Sequence, residues 1–426
     1  MISLEFVRKL DKSTRVGKGP ASVESADSGS LRSLRELNRG RVIDALRGRG
    51  TASRAEIARL TGLSRSTVSS IVADLIEAGL LTEQAEATGV AHGEAGGRPP
   101  VLLSLNPSAG LAVGVDFGHS HLRVAVSDLS HEVLGESWRE LDVDHSAEEG
   151  LDAAEQLVDQ VLTEAKVARR GVIGVGMGLP GPINRATGAV GSSSILPGWV
   201  GVNAAMEMER RLRLPVRVEN DANLGALAEF VWGSGRGHSD VIYIKLSSGV
   251  GAGLLFAGRL HEGAGGTAGE IGHIPAQNGT AICRCGSRGC LETVASARAI
   301  AEQVAASRGE EVSPRQLLEL INERDPAASR LIGEAGREIG VALAGLCNLV
   351  NPNCVIIGGD LSAAGELITE PVLESIRRYA IASAADQVMV VPGVLGERAE
   401  LLGALALVLH ATDGVIGAGP PAQVAA

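Results

Sequence analysis

The chain has 426 residues, 45% of them hydrophobic, and a formal net charge of -11 at pH 7. That size allows two or three domains with sizeable cores, and the acidic balance excludes a protein coated in nucleic acid while leaving room for a small basic module on an acidic body. No run reaches about 18 apolar residues, and Met1 to Pro20 mixes acids and bases around no apolar core, so neither a spanning helix nor an export signal is expected and the cytoplasm is the expected compartment.

Residues 1–30 are rich in Ser, Gly and Lys without a sustained period and read as a flexible arm. From Leu31 the pattern becomes helical. Asn38 is expected to cap a helix through Val42, Ile43 and Leu46 that closes at Gly48-Arg-Gly50. Ser53 and Glu56 form a capping box for a short second helix ending at Thr61-Gly62. Ser64 caps a third, with Val68, Ile71, Val72, Leu75 and Ile76 at helical spacing and Gly79 as its stop. Helix, tight turn and amphipathic helix is the arrangement that sets a recognition helix in a DNA major groove.

Arg65, Ser66, Thr67, Ser69 and Ser70 lie at the start of the third helix, where free N–H groups meet phosphate and Arg, Ser and Thr reach base edges. Between Leu31 and Glu83 nine arginines outnumber six acidic residues, opposing the charge of the whole. Leu80-Leu81-Thr82 and Val101-Leu102-Leu103 are expected to pair as a wing, with Arg98 near the tip entering the minor groove. A protein-binding or dimerisation module with a solvated basic face is the alternative. The winged helix-turn-helix domain is therefore expected over 31–105.

After Asn106-Pro107 the pattern turns to strands. Leu111–Val115 and Leu122–Val126 flank the glycine turn Asp116-Phe-Gly-His-Ser120. A surface helix is expected over Ala147–Ala165 and a buried strand over Val172–Gly176, which delivers Gly178-Leu-Pro-Gly181. Val216–Val218 ends in Glu219-Asn-Asp-Ala-Asn223, followed by an alanine-rich helix. A carboxylate there, at the end of a buried strand and the mouth of a helix, is placed to accept a proton or hold a hydroxyl; simple helix capping is the alternative. Val241–Leu246 is the next strand, followed by the turn Ser247-Ser-Gly-Val-Gly-Ala-Gly253.

The densest chemistry lies between Glu262 and Glu292. His273 with Cys283, Cys285 and Cys290 supplies one imidazole and three soft thiolates, the donor set of a closed tetrahedral zinc site; three free thiols in a glycine-rich loop are the alternative, since Cys-x-Cys-x4-Cys differs from common finger spacings. A disulfide is disfavoured without a secretory signal. Glu270 and Glu292 bracket the cysteines and are free to face something polar. Further on, helices are expected over Ala295–Ala306, Ser313–Ile321, Leu331–Leu349 and Leu367–Ala380. Strands are expected over Val355–Gly359 and Val388–Val391, then a closing helix over Ala399–Leu409 and a disordered tail over 411–426.

Glu270-Ile-Gly-His273 followed by Cys283-Arg-Cys-Gly-Ser-Arg-Gly-Cys290-Leu-Glu292 closely resembles the signature of the ROK family of bacterial sugar kinases and sugar-responsive repressors, and the resemblance extends over nearly the whole chain after the arm. It implies an actin-like (ribonuclease H-like) two-lobed α/β fold over 108–410 behind the winged helix-turn-helix. It also implies one structural zinc per chain, with one ring nitrogen of His273 on the metal and the other toward a sugar hydroxyl. The family loop ending at Gly181 lies beside the sugar. The residue matching Asn220 binds it, and Asp221 matches the base that activates the hydroxyl in kinases. Asn203 is either a sugar contact or a cap.

The family's phosphate turns are altered, with His119 and Ser120 where kinases carry Gly and Thr, and Ser247-Ser248 in place of a Gly-Thr-Gly turn. ATP and magnesium are accordingly not expected. Two readings follow. One is a sugar-responsive regulator, a homodimer or homotetramer binding double-stranded operator DNA with a sugar or sugar phosphate as effector and no membrane partner. The other is an ATP-dependent sugar kinase with a DNA-binding appendage. A zinc protein without a small ligand would leave Asn220, Asp221, Glu270 and Glu292 without a purpose.

Overall fold

A computed structural model of the chain describes residues 26–84, 101–185, 187–191 and 195–415. The reader comprises α1 (Ala26–Arg49), β1 (Thr51–Ser53), α2 (Arg54–Thr61), α3 (Arg65–Glu77), β2 (Leu81–Gln84) and β3 (Leu102–Leu105). Ser53 and Glu56 close the expected capping box on α2, Gly62 ends it in a left-handed conformation, and Ser64 caps α3 through the Thr67 N–H. β2 and β3 pair with Leu81 opposite Leu105, and β1 adds to the far edge of β3, a third strand that the sequence pattern did not suggest. Arg98 and the expected wing tip lie outside the described residues.

Two expectations on helix ends are corrected. Asn38 sits inside α1, which starts within the expected arm. An interior Asn costs a helix only a fraction of a kcal/mol, about 0.7 at most, so its capping preference does not stop a helix that its neighbours sustain. At the other terminus the closing helix runs to Val415, into the expected tail.

The body has two lobes of matching plan. In the first, β4 (Leu111–Phe117), β5 (His121–Asp128) and β6 (Val133–Glu140) form an antiparallel meander; α4 (Ala147–Glu164), β7 (Val172–Leu179), α5 (Ala204–Leu212) and β8 (Val216–Asn220) complete a sheet of order β6-β5-β4-β7-β8. Helix α6 (Asp221–Val231) leads to the second lobe. There β9 (Val241–Leu246), β10 (Val250–Phe256) and β11 (Arg259–Leu260) repeat the meander. After α7 (Glu292–Ala295), α8 (Ala297–Arg308), α9 (Pro314–Asn322) and α10 (Pro326–Val350), β12 (Cys354–Gly358) joins in parallel. Helices α11 (Glu366–Tyr379) and α12 (Ala382–Ala385) and strand β13 (Met389–Pro392) finish the order β11-β10-β9-β12-β13.

The equivalent turns β4–β5 and β9–β10 both open into the cavity described below. Each lobe carries its own apolar core, and Cys347 and Cys354 are buried in the second, as small apolar-like residues should be.

The last helix, α13 (Ala399–Val415), returns to pack on β4, β7 and α6. Its approach depends on glycine: a Cβ on Gly176 would lie 1.9 Å from the Ala404 carbonyl oxygen, and one on Gly403 2.0 Å from that of Leu224, far inside any tolerable contact. Leu401, Leu402, Leu405, Val408 and Leu409 of this helix share one buried cluster with Val42, Ile43 and Leu46 of α1. Among the described residues, no helix is long and apolar enough to cross a membrane.

Candidate functional site

A single cavity is lined by Gly181, Asn220, Asp221, Glu270, His273 and Glu292, six of the seven residues singled out for sugar. Trp199 belongs to the core of the first lobe: fully buried, it donates from Nε1 to the Val143 carbonyl (2.8 Å) and meets Phe117 edge-on. Asn220 caps α6, accepting from the Ala222 N–H (2.9 Å), while its amide donates to the Gly181 carbonyl (2.9 Å), so the Gly178–Gly181 loop is tied to the helix mouth. The capping expected for this residue is therefore present together with its place in the cavity. Asn203 differs. It caps α5 through the Met206 N–H (3.0 Å), donates to the Thr187 carbonyl (2.7 Å), and is not among the cavity-lining residues.

His273 stands between two environments. Its Nδ1 faces Cys283 Sγ at 3.7 Å, and its Nε2 lies 3.7 Å from Glu270 Oε2 on the cavity side. The ligand atoms of His273, Cys283, Cys285 and Cys290 all lie within 4.8 Å of one another, with Cys285 and Cys290 sulfurs 3.7 Å apart, so the four are assembled as a set that can hold a metal ion. That sulfur separation is far beyond the about 2.05 Å of a disulfide. Burial pushes the Glu270 carboxyl above its ordinary value, with the nearby His273 opposing the shift.

At the end of the cavity beside the β4–β5 and β9–β10 turns, the protein's own polar and charged groups pair with one another. His119 turns to Asp144, donating from Nδ1 to Oδ1 at 2.7 Å. It is His121 whose ring covers the turn: a Cβ on Gly118 would lie 2.2 Å from it, and its Nε2 reaches Asp116 Oδ2 at 3.3 Å. His119, which stands where the family's kinases carry glycine, does not itself cover the turn, because its ring rotates outward to a carboxylate. Ser247 Oγ accepts from the Asp360 N–H (3.2 Å), joining the second turn to the loop after β12. Burial raises the Asp360 carboxyl, against the pull of Lys245.

Three further cavity residues escaped the sequence reading. Arg284 grips Glu292 in a bidentate pair, Nε to Oε1 at 2.9 Å and Nη2 to Oε2 at 3.0 Å, and Glu292 also accepts from the Val250 N–H. Glu292 is thus 3% exposed and held by the protein, where a free sugar-facing carboxylate was expected. Lys245 donates to Asp221 Oδ2 at 2.9 Å and lies 3.1 Å from Glu400 Oε1. Burial alone would lower its pKa, but Asp221 and then Glu400 raise it well above the ordinary lysine value. A lone charge in each of two apolar runs, Val-Ile-Tyr-Ile-Lys245-Leu and Ala-Glu400-Leu-Leu, was the available signal, since buried charges need partners.

In the reader, Arg65, Ser66, Ser69 and Ser70 are exposed on α3, with Thr67 half-buried. The hydroxyls of Ser66 and Thr67 are within 2.9 and 2.8 Å of Ser64 Oγ, so they build the cap as well as lining the exposed start of the helix.

Comparison with known proteins agrees with this architecture. Residues 36–89 match the MarR family and residues 112–411 the ROK family. The chain is 30% identical over 390 residues to the xylose repressor of Caldicellulosiruptor bescii, covering 88% of this chain and 96% of that protein. Among solved structures it is similar to a ROK family transcriptional regulator described as a homologue of the E. coli MLC protein (TM-score 0.73, 26% identity, 90% of this chain and 98% of that one). It is also similar to a ROK family glucokinase from Streptomyces griseus in complex with glucose and AMPPNP (TM-score 0.62, 31% identity, 70% of this chain and 99% of that one). A winged helix-turn-helix followed by an actin-like two-lobed body, matched over 300 residues of its length, makes this chain a member of the ROK family.

Proposed function

We propose that the chain is a sugar-responsive transcriptional repressor, acting in the cytoplasm as a homodimer or homotetramer on operator DNA of carbohydrate uptake or catabolism genes. The observation that carries this reading is the presence, in one chain, of a winged helix-turn-helix and a polar cavity in which His121 covers the Gly118 turn and Lys245 pairs with Asp221. The two working units are the reader, about 31–105, whose first helix begins already at Ala26, and the body, about 108–410, whose last helix runs on to Val415. Asn220, Asp221, Glu270 and His273 hold the sugar by neutral and charge-assisted hydrogen bonds, beside Gly181 and the Arg284-braced Glu292. Xylose and glucose, named for the relatives, are the first effectors to try.

The His273/Cys3 cluster is proposed to hold one zinc. The donor set suits it, and tetrahedral Zn–S bonds of about 2.3 Å place sulfurs roughly 3.8 Å apart, close to the 3.7 Å between Cys285 and Cys290. Such an ion orders the loop and fixes the His273 ring; it has no part in sugar chemistry. On DNA, Arg65, Ser66, Thr67, Ser69 and Ser70 are proposed for the major groove and Arg98 for the minor.

The test is duplex binding followed by fluorescence anisotropy, on genomic fragments selected with the protein, with and without each member of a panel of sugars and sugar phosphates. Arg65→Ala should weaken specific binding by about 1–3 kcal/mol while leaving sugar affinity unchanged, and weaken random duplex less if Arg65 reads a base. Failure to bind any genomic fragment would overturn the regulator reading.

A further inference from the structure

The Lys245 ammonium touches two helices that lead away from the cavity. Asp221, whose Oδ2 accepts its hydrogen bond, is the first residue of α6, and Glu400, 3.1 Å away, is the second residue of α13. Lys245 comes from β9, so three separate elements meet at one buried charge. Its side chain is 19% exposed and that of Glu400 9%. Glu400 Oε1 makes no hydrogen bond of good geometry, so its contact with Lys245 is an ion pair. Burial pushes the Glu400 carboxyl up to about 7, with Lys245 the chief influence drawing it down and Asp116 and Asp221 adding to the rise. The charge on Glu400 is therefore sensitive to where the ammonium stands.

From Glu400 the helix runs directly to the reader. Its following turns are locked against α6 and β7 by the glycine contacts at Gly403 and Gly176, and its apolar side chains enter the cluster shared with Val42, Ile43 and Leu46 of α1. Arg47 of α1 also donates to the Leu129 carbonyl just beyond β5, at 3.2 Å. A packed interface of this kind moves as a unit and does not absorb small shifts by local deformation.

We propose that Lys245 is the positioning residue that couples the sugar cavity to the DNA reader. Resting on the sugar-responsive reading above, the step is a competition: a sugar hydroxyl donating to Asp221 takes the oxygen that Lys245 holds. The ammonium cannot stay buried without a counter-charge, so it shifts toward Glu400. The first turn of α13 then moves, and with it the cluster that seats α1. Lys245 transfers no proton to the sugar and makes no contact with DNA. The coupling is a difference in how the two states of α13 are stabilised, which is the physical content of a linked pair of sites.

Lys245→Met, which keeps bulk without charge, and Glu400→Gln, which keeps shape, test this together with the double replacement. Three quantities are measured for each: affinity for D-xylose and D-glucose by calorimetry, affinity for a genomic duplex selected with the unaltered protein, and the ratio of duplex affinities with and without saturating sugar. The unaltered ratio is expected within the roughly 5–150-fold range of allosteric coupling. In either variant it should fall to about twofold or less, with sugar-free duplex affinity changed by less than about threefold and sugar affinity raised, never lowered, in Lys245→Met, where Asp221 has lost its competing partner; the double variant should be no worse than either single one.

A merely structural role would lower sugar and duplex affinity together and spare the ratio. If Lys245→Met fails to fold, Glu400→Gln decides alone. A variant that folds and keeps the unaltered ratio overturns the proposal. An unaltered protein whose duplex affinity ignores every sugar takes down the sensor reading and this coupling with it, an outcome distinct from a responsive protein with responsive variants.

Discussion

The two ends of the cavity are built on opposite principles. At the metal-adjacent end, His273 and Glu270 present polar atoms to the cavity and are held from behind, His273 by the cysteine cluster. At the phosphate end the protein answers its own charges: Asp116 is met by His121, Asp221 and Glu400 by Lys245, and Ser247 by the backbone of Asp360. Phosphoryl transfer depends on backbone donors and a divalent ion placed around the transferred group. Groups already satisfied within the protein are poor candidates for that task, while the opposite end keeps the donors and acceptors that a polyol needs. The two ends thus differ in how many of their polar groups are already paired within the protein.

The largest expected effect breaks the metal-adjacent end. Cys285→Ser should reduce bound zinc from about one per chain to a small fraction. It should also weaken sugar binding by on the order of a hundredfold, equivalent to losing two hydrogen bonds involving charged groups at about 1.5 kcal/mol each. Metal analysis and calorimetry on the same preparation check it. Metal-free protein that binds sugar at full affinity would dissolve the proposed link between cluster and cavity.

An intermediate effect is expected at the phosphate end. With sugar and ATP both saturating, a coupled ADP-release assay should show turnover far below one per second, the lower end of the ordinary enzyme range. His121→Ala uncovers the Gly118 turn and releases Asp116, and should improve ATP affinity by about tenfold, or 1.4 kcal/mol. Turnover should stay slow even then, and in a His119→Gly/Ser120→Thr background, because an attacking hydroxyl must share the Asp221 carboxylate with Lys245 and the Ala222 N–H, which already hold it. Turnover of about one per second or more in the unaltered chain would move the kinase reading to first place.

What the sequence revealed about this contrast depended on how local each signal was. The cysteines and His273 lie within one short stretch, and soft ligand atoms have few other uses, so the assembly of these four side chains was legible. So were the reader's caps, because Ser53, Glu56 and Ser64 act on N–H groups three residues away. The filled phosphate end was legible only in part. Departure from a glycine turn marked the place, but which histidine covers it depends on side-chain rotation: His119 finds Asp144, and His121, two residues on, takes the turn. The Lys245–Glu400 contact joins residues far apart in the chain, and Arg284–Glu292 spends a carboxylate that spacing alone left free. Pairings across the fold are decided by packing, and no periodicity encodes them.

The smallest expected effect marks where the sugar-binding end stops. Asn203 carries both halves of its amide in local bonds, the oxygen on the Met206 N–H and the nitrogen on the Thr187 carbonyl, and it does not line the cavity. Asn203→Ala should therefore cost about 1 kcal/mol of stability, the usual penalty for losing a helix N-cap, seen as a small drop in the urea midpoint with an unchanged slope. Sugar affinity should stay within about twofold, because a cap outside the cavity has no hydroxyl to release. Asn203→Asp sharpens the result: aspartate keeps the oxygen that caps α5 and loses the amide that holds Thr187, so most of the stability should return. A fall of tenfold or more in sugar affinity with either change would mean that the lobes close on the ligand far enough to bring Asn203 to it. The sugar-binding surface would then extend beyond the metal-adjacent end, onto the first turn of α5.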